Sequence, residues 1–207
     1  SEQRQFFTEG VDLFNKGNLF FSRRVGSAPS GEVSLNENEI IENKPNTVKV
    51  LNAIKVSGRK KNGLGVGVFN AFTERTTASL KDTISGDIRN KVVESFSNYN
   101  IVVVDKQFNQ NSSVSFINTN VSRSGKFRDA NVTGLLADIT NKRNTYNVEG
   151  QLKMSHLTNA DGSTTTGYST NASIKKIHGN FRYGIEHEYT CLLYTSPSPR
   201  DAHESRM

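Results

Sequence analysis

The chain is short of the residues that build or crosslink a compact soluble core. Its 207 residues include one cysteine, four prolines and no tryptophan, and 34% of them are hydrophobic. A single cysteine, Cys191, excludes an internal disulfide framework and a metal site built from several thiolates. The length is sufficient for one domain, but core-forming side chains are scarce.

Long hydrophobic runs are also missing. No run approaches the length of a transmembrane helix, and the opening residues Ser1–Gln5 are polar, without the apolar stretch of a signal peptide. This does not exclude a membrane, because the strands of a transmembrane barrel need only about 10 residues each and alternate lipid-facing with lumen-facing positions. We expect either a cytosolic protein or a chain whose first part is missing.

The formal net charge of +6 is spread along the chain, and basic pairs such as Lys60-Lys61 and Lys142-Arg143 fall at predicted turns. Neither a basic helix nor an array of aromatic residues beside cations is visible, so no nucleic-acid partner is predicted. We interpret these cations as solvated turn charges, or as charges at a membrane rim where anionic head groups would attract them.

Alternation of apolar and polar residues is the strongest signal present. It predicts two strands, Thr47–Arg59 and Leu64–Thr73, joined by a tight turn at Asn62-Gly63. In the first strand Val48, Val50, Ile54 and Val56 are expected to share one face. Polar residues on the apolar faces, such as Asn70, have no explanation in the pattern.

The same alternation recurs downstream, and no convincing helix is present. Further strands are predicted at Leu19–Val25, Thr76–Lys81, Lys91–Phe108, Ser112–Ser122, Asn131–Thr140, Tyr146–Ser155, Thr164–Lys176 and Phe181–Glu188, with a long loop at Ser27–Asn46. The fold class is all-β: an antiparallel meander of about eight long amphipathic strands with no second layer. Such a sheet would aggregate unless it closed or met lipid, so residues 1–190 are predicted to be a fragment of a transmembrane β-barrel, which is incomplete here.

From Cys191 onward the composition changes abruptly. The string Cys-Leu-Leu-Tyr-Thr-Ser-Pro-Ser-Pro-Arg-Asp resembles translated sequencing-adapter read-through at the ends of metagenomic reading frames. Residues 191–207 are therefore predicted to be a non-native tail and are left out of the fold prediction. A genuine disordered, proline-rich tail is the alternative.

Glycines at alternate positions, Gly63, Gly65 and Gly67, do not have the spacing of a dinucleotide-binding loop, and no helix follows them. They are predicted to leave one face of the sheet without side chains at these positions, so that the strands can curve or a plug can pack closely against the backbone. The histidines lack the spacing of a zinc site. No catalytic, cofactor-binding or metal-binding residues are predicted.

Carboxylates are scattered along the chain, and two of them would have to face each other to form a glycosidase pair. The sequence does not show which carboxylates meet. Glu149 is better explained as polar lining of a lumen. The acidic residues considered are Glu9, Asp12, Asp105, Asp138 and Glu149.

Several ordered motifs together resemble one family: the strings at residues 4–10, 21–26 and 57–67, Phe14, and Asn98-Tyr99-Asn100 before a β-branched run. They are similar to the uncharacterised C-terminal barrel domain that follows a family-9-like carbohydrate-binding module in Gram-negative outer-membrane proteins. The resemblance implies location in the cell outer membrane, a signal peptide and the module before Ser1, and further strands after Tyr189. It supplies no catalytic residues.

The leading expectation is therefore a fragment of an outer-membrane β-barrel of unknown activity, in contact with the lipid bilayer and with a role in glycan handling or surface transport. Residues 6–26 are expected to pack inside the barrel or at its periplasmic mouth, with Arg23 and Arg24 paired to lumen carboxylates. Arg59 and Glu149 are the other candidate structural or lumen residues. A soluble all-β carbohydrate-binding module, with the apolar faces meeting in a sandwich core, is the alternative. A glycan-active hydrolase using Glu9 and Glu149 is the second.

Overall fold

The computed structural model describes residues 12–19, 25–29, 31, 33–109 and 111–191. Its regular structure is almost entirely β-strand, with one short 3-10 turn at Lys16–Asn18. No helix among the described residues is long and apolar enough to cross a membrane. The strands are β1 (Glu39–Asn43), β2 (Val50–Arg59), β3 (Leu64–Thr73), β4 (Thr76–Asp82), β5 (Ile88–Glu94), β6 (Ser97–Phe108), β7 (Ser112–Arg123), β8 (Asp129–Thr140), β9 (Tyr146–Thr158), β10 (Thr164–Lys176) and β11 (Tyr183–Thr190).

Eight of these strands form one long antiparallel sheet in the order β11-β10-β9-β8-β7-β6-β3-β2. Every pair in it is antiparallel, and all but β3 and β6 are consecutive in the chain. The predicted antiparallel meander is therefore confirmed. Among the described residues, β2 and β11 remain as two open edges and the sheet is not closed.

Four connections of three to six residues lie at one end of the long sheet, which we call the tight-turn end. They span residues 60–63, 109–111, 141–145 and 177–182. The opposite end carries two connections of five residues and the long excursion of residues 74–96 between β3 and β6. In the turn at residues 60–63, the Gly63 N–H donates to the Lys60 carbonyl at 2.9 Å, and only glycine adopts the required φ of 84° without strain. The predicted turn at Asn62-Gly63 is confirmed.

A second, three-stranded sheet in the order β1-β4-β5 was not predicted. Strand β1 lies within the stretch expected to be a loop, and the predicted strand Lys91–Phe108 is two strands, β5 and β6. The Arg89 guanidinium joins β5 to β1 through two hydrogen bonds to the Glu39 carboxylate, at 2.6 and 2.8 Å. This pairing, with the Asn36 backbone N–H, holds the pKa of Glu39 below its usual 4.5.

A β-bulge in β2 corrects the predicted facing of that strand. Val50 pairs with Thr73 and Asn52 with Phe72, so Leu51 is an extra residue on one strand. Because the bulge shifts the alternation by one, Val50 packs against the core whereas Val56 on the opposite face is 65% exposed. The expectation that all four apolar residues share one face was wrong.

The hydrophobic core lies on one face of the long sheet, which we call the inner face. It is covered by the described residues 12–19 and 25–29, here called the N-terminal segment. Side chains of this segment pack against inner-face positions of β3, β6, β7 and β8. The buried cluster consists of Leu13, Phe14, Leu19, Val25, Phe69, Ala71, Tyr99, Ile101, Val103, Ile117, Val121 and Val132.

Candidate functional site: the two faces of the long sheet

The opposite face, here called the outer face, carries a continuous exposed apolar band. Strand register aligns one row of apolar side chains across five neighbouring strands: Val66, Val104, Phe116, Leu135 and Leu152. The next row runs from Val56 through Val68 and Val102 to Met154 and Tyr168, and Asn118 and Thr133 interrupt it on β7 and β8. Leu152, near the middle of the band, is 57% exposed. Other exposed members are Val66, Val104, Val114, Phe116, Leu135, Ile139, Val148 and Ile174.

Aromatic side chains border this band on both sides. Tyr168 and Tyr189 lie together at one border, with ring centroids 5.6 Å apart. At the tight-turn border the exposed aromatics are Phe108, Tyr146, Phe181 and Tyr183. Phe181 and Tyr183 have ring centroids 5.8 Å apart.

The height of the band follows from strand geometry. Tyr146 stands at one border, and Met154, eight residues further along β9, pairs with Tyr168 at the other. That separation is about 26 Å along the strand at ~3.3 Å per residue. If the strands tilted by about 40°, the band would be about 20 Å high, close to the ~25 Å apolar belt of transmembrane barrels.

Beyond Tyr168 the outer face becomes polar. One row joins Asn70, Asn100, Asn120 and Asn131 across four neighbouring strands, and we call it the amide belt. The Asn70 amide donates to the side-chain carbonyl of Asn100 at 2.7 Å and to that of Asn98 at 2.8 Å. Asn70 is therefore part of a cross-strand amide network and not an isolated polar residue in an apolar row.

Glycines on the inner face make room for the N-terminal segment. A Cβ on Gly67 would stand 3.0 Å from the Phe14 ring, and one on Gly134 would stand 2.5 Å from Leu19. The Phe14 ring in turn meets Phe69 edge-on, with centroids 6.4 Å apart. The prediction that alternate glycines let a plug pack closely on the sheet is confirmed for Gly67, whereas Gly134 was not singled out from the sequence.

A buried ion cluster fixes the same segment to β6. The Asp105 side chain is fully buried, and its Oδ1 lies 2.5 Å from Lys16 Nζ and accepts a hydrogen bond from Ser115 at 2.7 Å. Arg59 Nη2 lies 2.5 Å from Asp105 Oδ2 and forms a second ion pair with the same carboxylate. One carboxylate thus balances two cations, one from the N-terminal segment and one from β2.

A polar cleft of about 340 Å³ lies beside this cluster on the inner face. Asp138 and Glu149 line it and form a direct cross-strand pair between β8 and β9. Asn147 donates to Asp138 at 2.6 Å, and Lys175 lies 3.5 Å from Glu149. The cleft can therefore present two neighbouring carboxylates together with amide and hydroxyl groups.

The structure describes only some of the predicted site residues. Arg59 lies in the Asp105 cluster and Glu149 in the polar cleft, whereas Arg23 and Arg24 lie outside the described residues, as does Glu9. Lys16 was not singled out from the sequence, and its contact with Asp105 spans 89 positions. Among the described residues, no group of three or more His, Cys, Asp or Glu side chains could hold a metal ion.

These features define the class: an all-β antiparallel sheet domain with an N-terminal segment packed on part of one face and an exposed apolar band on the other. A model of a domain of unknown function, DUF5916, matches residues 1–196, and the chain belongs to this family. The predicted membership of an uncharacterised domain family is confirmed. A search of curated proteins and a search of solved structures gave no match.

Proposed function

We propose that the chain forms part of an outer-membrane β-barrel, with the apolar band against lipid and the inner face lining a lumen occupied by the N-terminal segment. The observation that carries this proposal is the order of side chains on the outer face. An exposed apolar band runs across the strands between two aromatic borders, with a polar amide belt beyond one of them. Lipid-facing surfaces of transmembrane barrels have this order.

The inner face supports the same proposal. Its polar side chains, including Glu149, Gln151 and Ser173, alternate with the outward apolar ones along β9 and β10. In water, an exposed face of this size on an open sheet would promote aggregation. In the described part of the chain no second sheet covers the outer face, so the opposing layer that a soluble sandwich needs is not seen there. A hydrated lumen with glycan handling or surface transport remains the role we assign to the inner face.

Flotation with vesicles tests the proposal. The full chain, unfolded in urea and diluted into neutral phosphatidylcholine vesicles, should float with them and gain β-structure by circular dichroism. Leu152→Arg places a charge in the middle of the apolar band and should weaken partitioning by about 2–4 kcal/mol. Gln151→Arg adds the same charge one residue away on the inner face and serves as the matched control.

The proposal predicts that only the outward substitution impairs insertion. A chain that folds without lipid or detergent, stays with the soluble fraction and responds equally to both substitutions would contradict it.

A glycan-active hydrolase is the second candidate function, and one observation favours it. Asp138 and Glu149 are direct cross-strand neighbours that line the same cleft, and glycosidases use two carboxyl groups that flank one bond. Release of reducing ends from polysaccharides, lost in both Asp138→Asn and Glu149→Gln while the circular dichroism spectrum stays unchanged, would support it. No release above that of the double variant would count against it.

A further inference from the structure

Basic side chains gather at the tight-turn end of the long sheet. Four short turns meet there, and none of their residues is Asp or Glu. The cations on these turns and on the adjoining outer-face positions form what we call the cationic rim: Lys60, Lys61, Lys106, Lys142, Arg143, Lys176 and Arg182.

The rim lies directly outside the tight-turn aromatics. Lys176 pairs in register with Tyr146 on one side and Tyr183 on the other, and its Nζ stands 6.0 Å from the Tyr183 ring centroid. Lysine and arginine stems can lie along apolar surface while their charges reach a polar boundary. The rim cations are therefore positioned at the edge of the apolar band.

The charge of the rim is not balanced by nearby carboxylates. Within the described part of the chain, none of the seven rim cations forms an ion pair with Asp or Glu. Carboxylates near this end, Asp105, Asp138 and Glu149, occupy inner-face positions of β6, β8 and β9. The outward side of the tight-turn end is thus positively charged.

The opposite end of the sheet has a different charge pattern. Its connections carry both signs, and several cations there are paired: Arg89 with Glu39, Lys49 with Glu74, and Arg123 with Glu94. The amide belt near that end is neutral. The difference in charge between the two ends of the sheet therefore results from where the charges lie, and not from the basic composition of the chain as a whole.

We propose that the cationic rim binds the headgroup phosphates of anionic glycerophospholipids in the leaflet at the tight-turn end, and so sets the orientation of the chain in the membrane. This inference rests on the proposed function. Lysine and arginine are the side chains that pair with phosphate, and anionic lipid surfaces attract such clusters. Transmembrane barrels carry their short turns on the periplasmic side. The rim would therefore face the periplasmic leaflet, and for that reason we commit to phospholipid.

Two triple variants test the inference with the full chain. The rim variant replaces Lys61, Lys142 and Arg143 by Gln, and the control variant replaces Arg75, Lys81 and Lys126 by Gln. Both remove three positive charges, but the control cations belong to β4 and to connections at the opposite end. Flotation is measured with phosphatidylcholine vesicles alone and with vesicles that also contain phosphatidylglycerol.

Phosphatidylglycerol should strengthen partitioning of the unchanged chain, and added salt should reduce the gain. Each cation near an anionic surface contributes about fivefold. The rim variant lacks three such cations, so it should lose about a hundredfold of its binding to anionic vesicles. It should lose none of its binding to neutral vesicles, which also shows that it still inserts. The control variant should lose less than about threefold.

Three outcomes would overturn the inference: equal losses in both variants, no response to phosphatidylglycerol, or a rim-dependent gain only when lipopolysaccharide replaces phosphatidylglycerol. Failure of the unchanged chain to bind neutral vesicles would instead overturn the proposed function. The two failures are therefore distinguishable.

Discussion

Packing of the N-terminal segment against a glycine can be measured with a double-mutant cycle of Phe14→Ala and Gly67→Val. Phe14 is 2% exposed, so its truncation should destabilise the chain by about 3–5 kcal/mol. A Cβ on Gly67 would already stand 3.0 Å from the ring, so the larger valine should cost about 1–3 kcal/mol. In the double variant the valine methyls occupy part of the space that the ring has left. The two effects should then fall short of additivity by more than about 1 kcal/mol.

The assay is urea unfolding of the full chain in detergent micelles, followed by circular dichroism. Gly58→Val provides the matched control, because a Cβ on Gly58 has no neighbour within 4 Å. Combined with Phe14→Ala, it should add within about 0.5 kcal/mol. Additivity in the Gly67 cycle as well would refute the close packing of Phe14 on β3.

Two further predictions concern the ion pairs. Asp105→Ala should destabilise the chain by about 2–3 kcal/mol, which is less than the full cost of breaking a buried pair because the two cations left behind reach water. The control Asp138→Ala removes an exposed carboxylate and should cost under about 1 kcal/mol. Equal costs in urea unfolding would contradict this prediction. The lowered pKa of Glu39 stabilises the fold above pH 4.5, and this contribution is lost as pH falls through the folded-state pKa. The protection factors of the β1 amides, which correct for the slower intrinsic exchange in acid, should therefore fall at low pH in the unchanged chain and fall less in Arg89→Gln. An equal fall in both would contradict the pairing.

Most of the long sheet was predictable because its signals are local. Alternation has the period of a strand, and Asn62-Gly63 and Asp161-Gly162 mark turns through their own backbone preferences. Thr164–Lys176 matches β10 at both ends. The bulge at Leu51 was missed because one inserted residue leaves both flanking stretches alternating, with no local sign that the faces have been exchanged.

The three-stranded sheet was missed for a related reason. Strand β1 reads Glu-Ile-Ile-Glu-Asn inside a long polar stretch, and its strand conformation depends on pairing with β4, whose residues follow about 40 positions later. The break between β5 and β6 falls at Ser95-Phe96, where composition does not change. Tertiary pairing, and not local preference, determines both features.

The candidate site was predictable only in part. Arg59 and Glu149 could be assigned to a polar face from alternation alone. The partner of Arg59 could not, because Asp105 is one carboxylate among many and its burial depends on Lys16, far away in the chain. One signal was present: Asp105 directly follows the β-branched run of residues 101–104, at an inward position of that strand.

Contact between the outer face and lipid is tested most directly by tryptophan fluorescence, because the chain has no tryptophan of its own. Leu152→Trp places a single reporter in the apolar band, and Gln151→Trp places one on the inner face next to it. In vesicles with brominated acyl chains, we expect strong quenching of the reporter at position 152 and little at position 151. Equal quenching at both positions, or quenching of the 152 reporter by aqueous acrylamide alone, would contradict it.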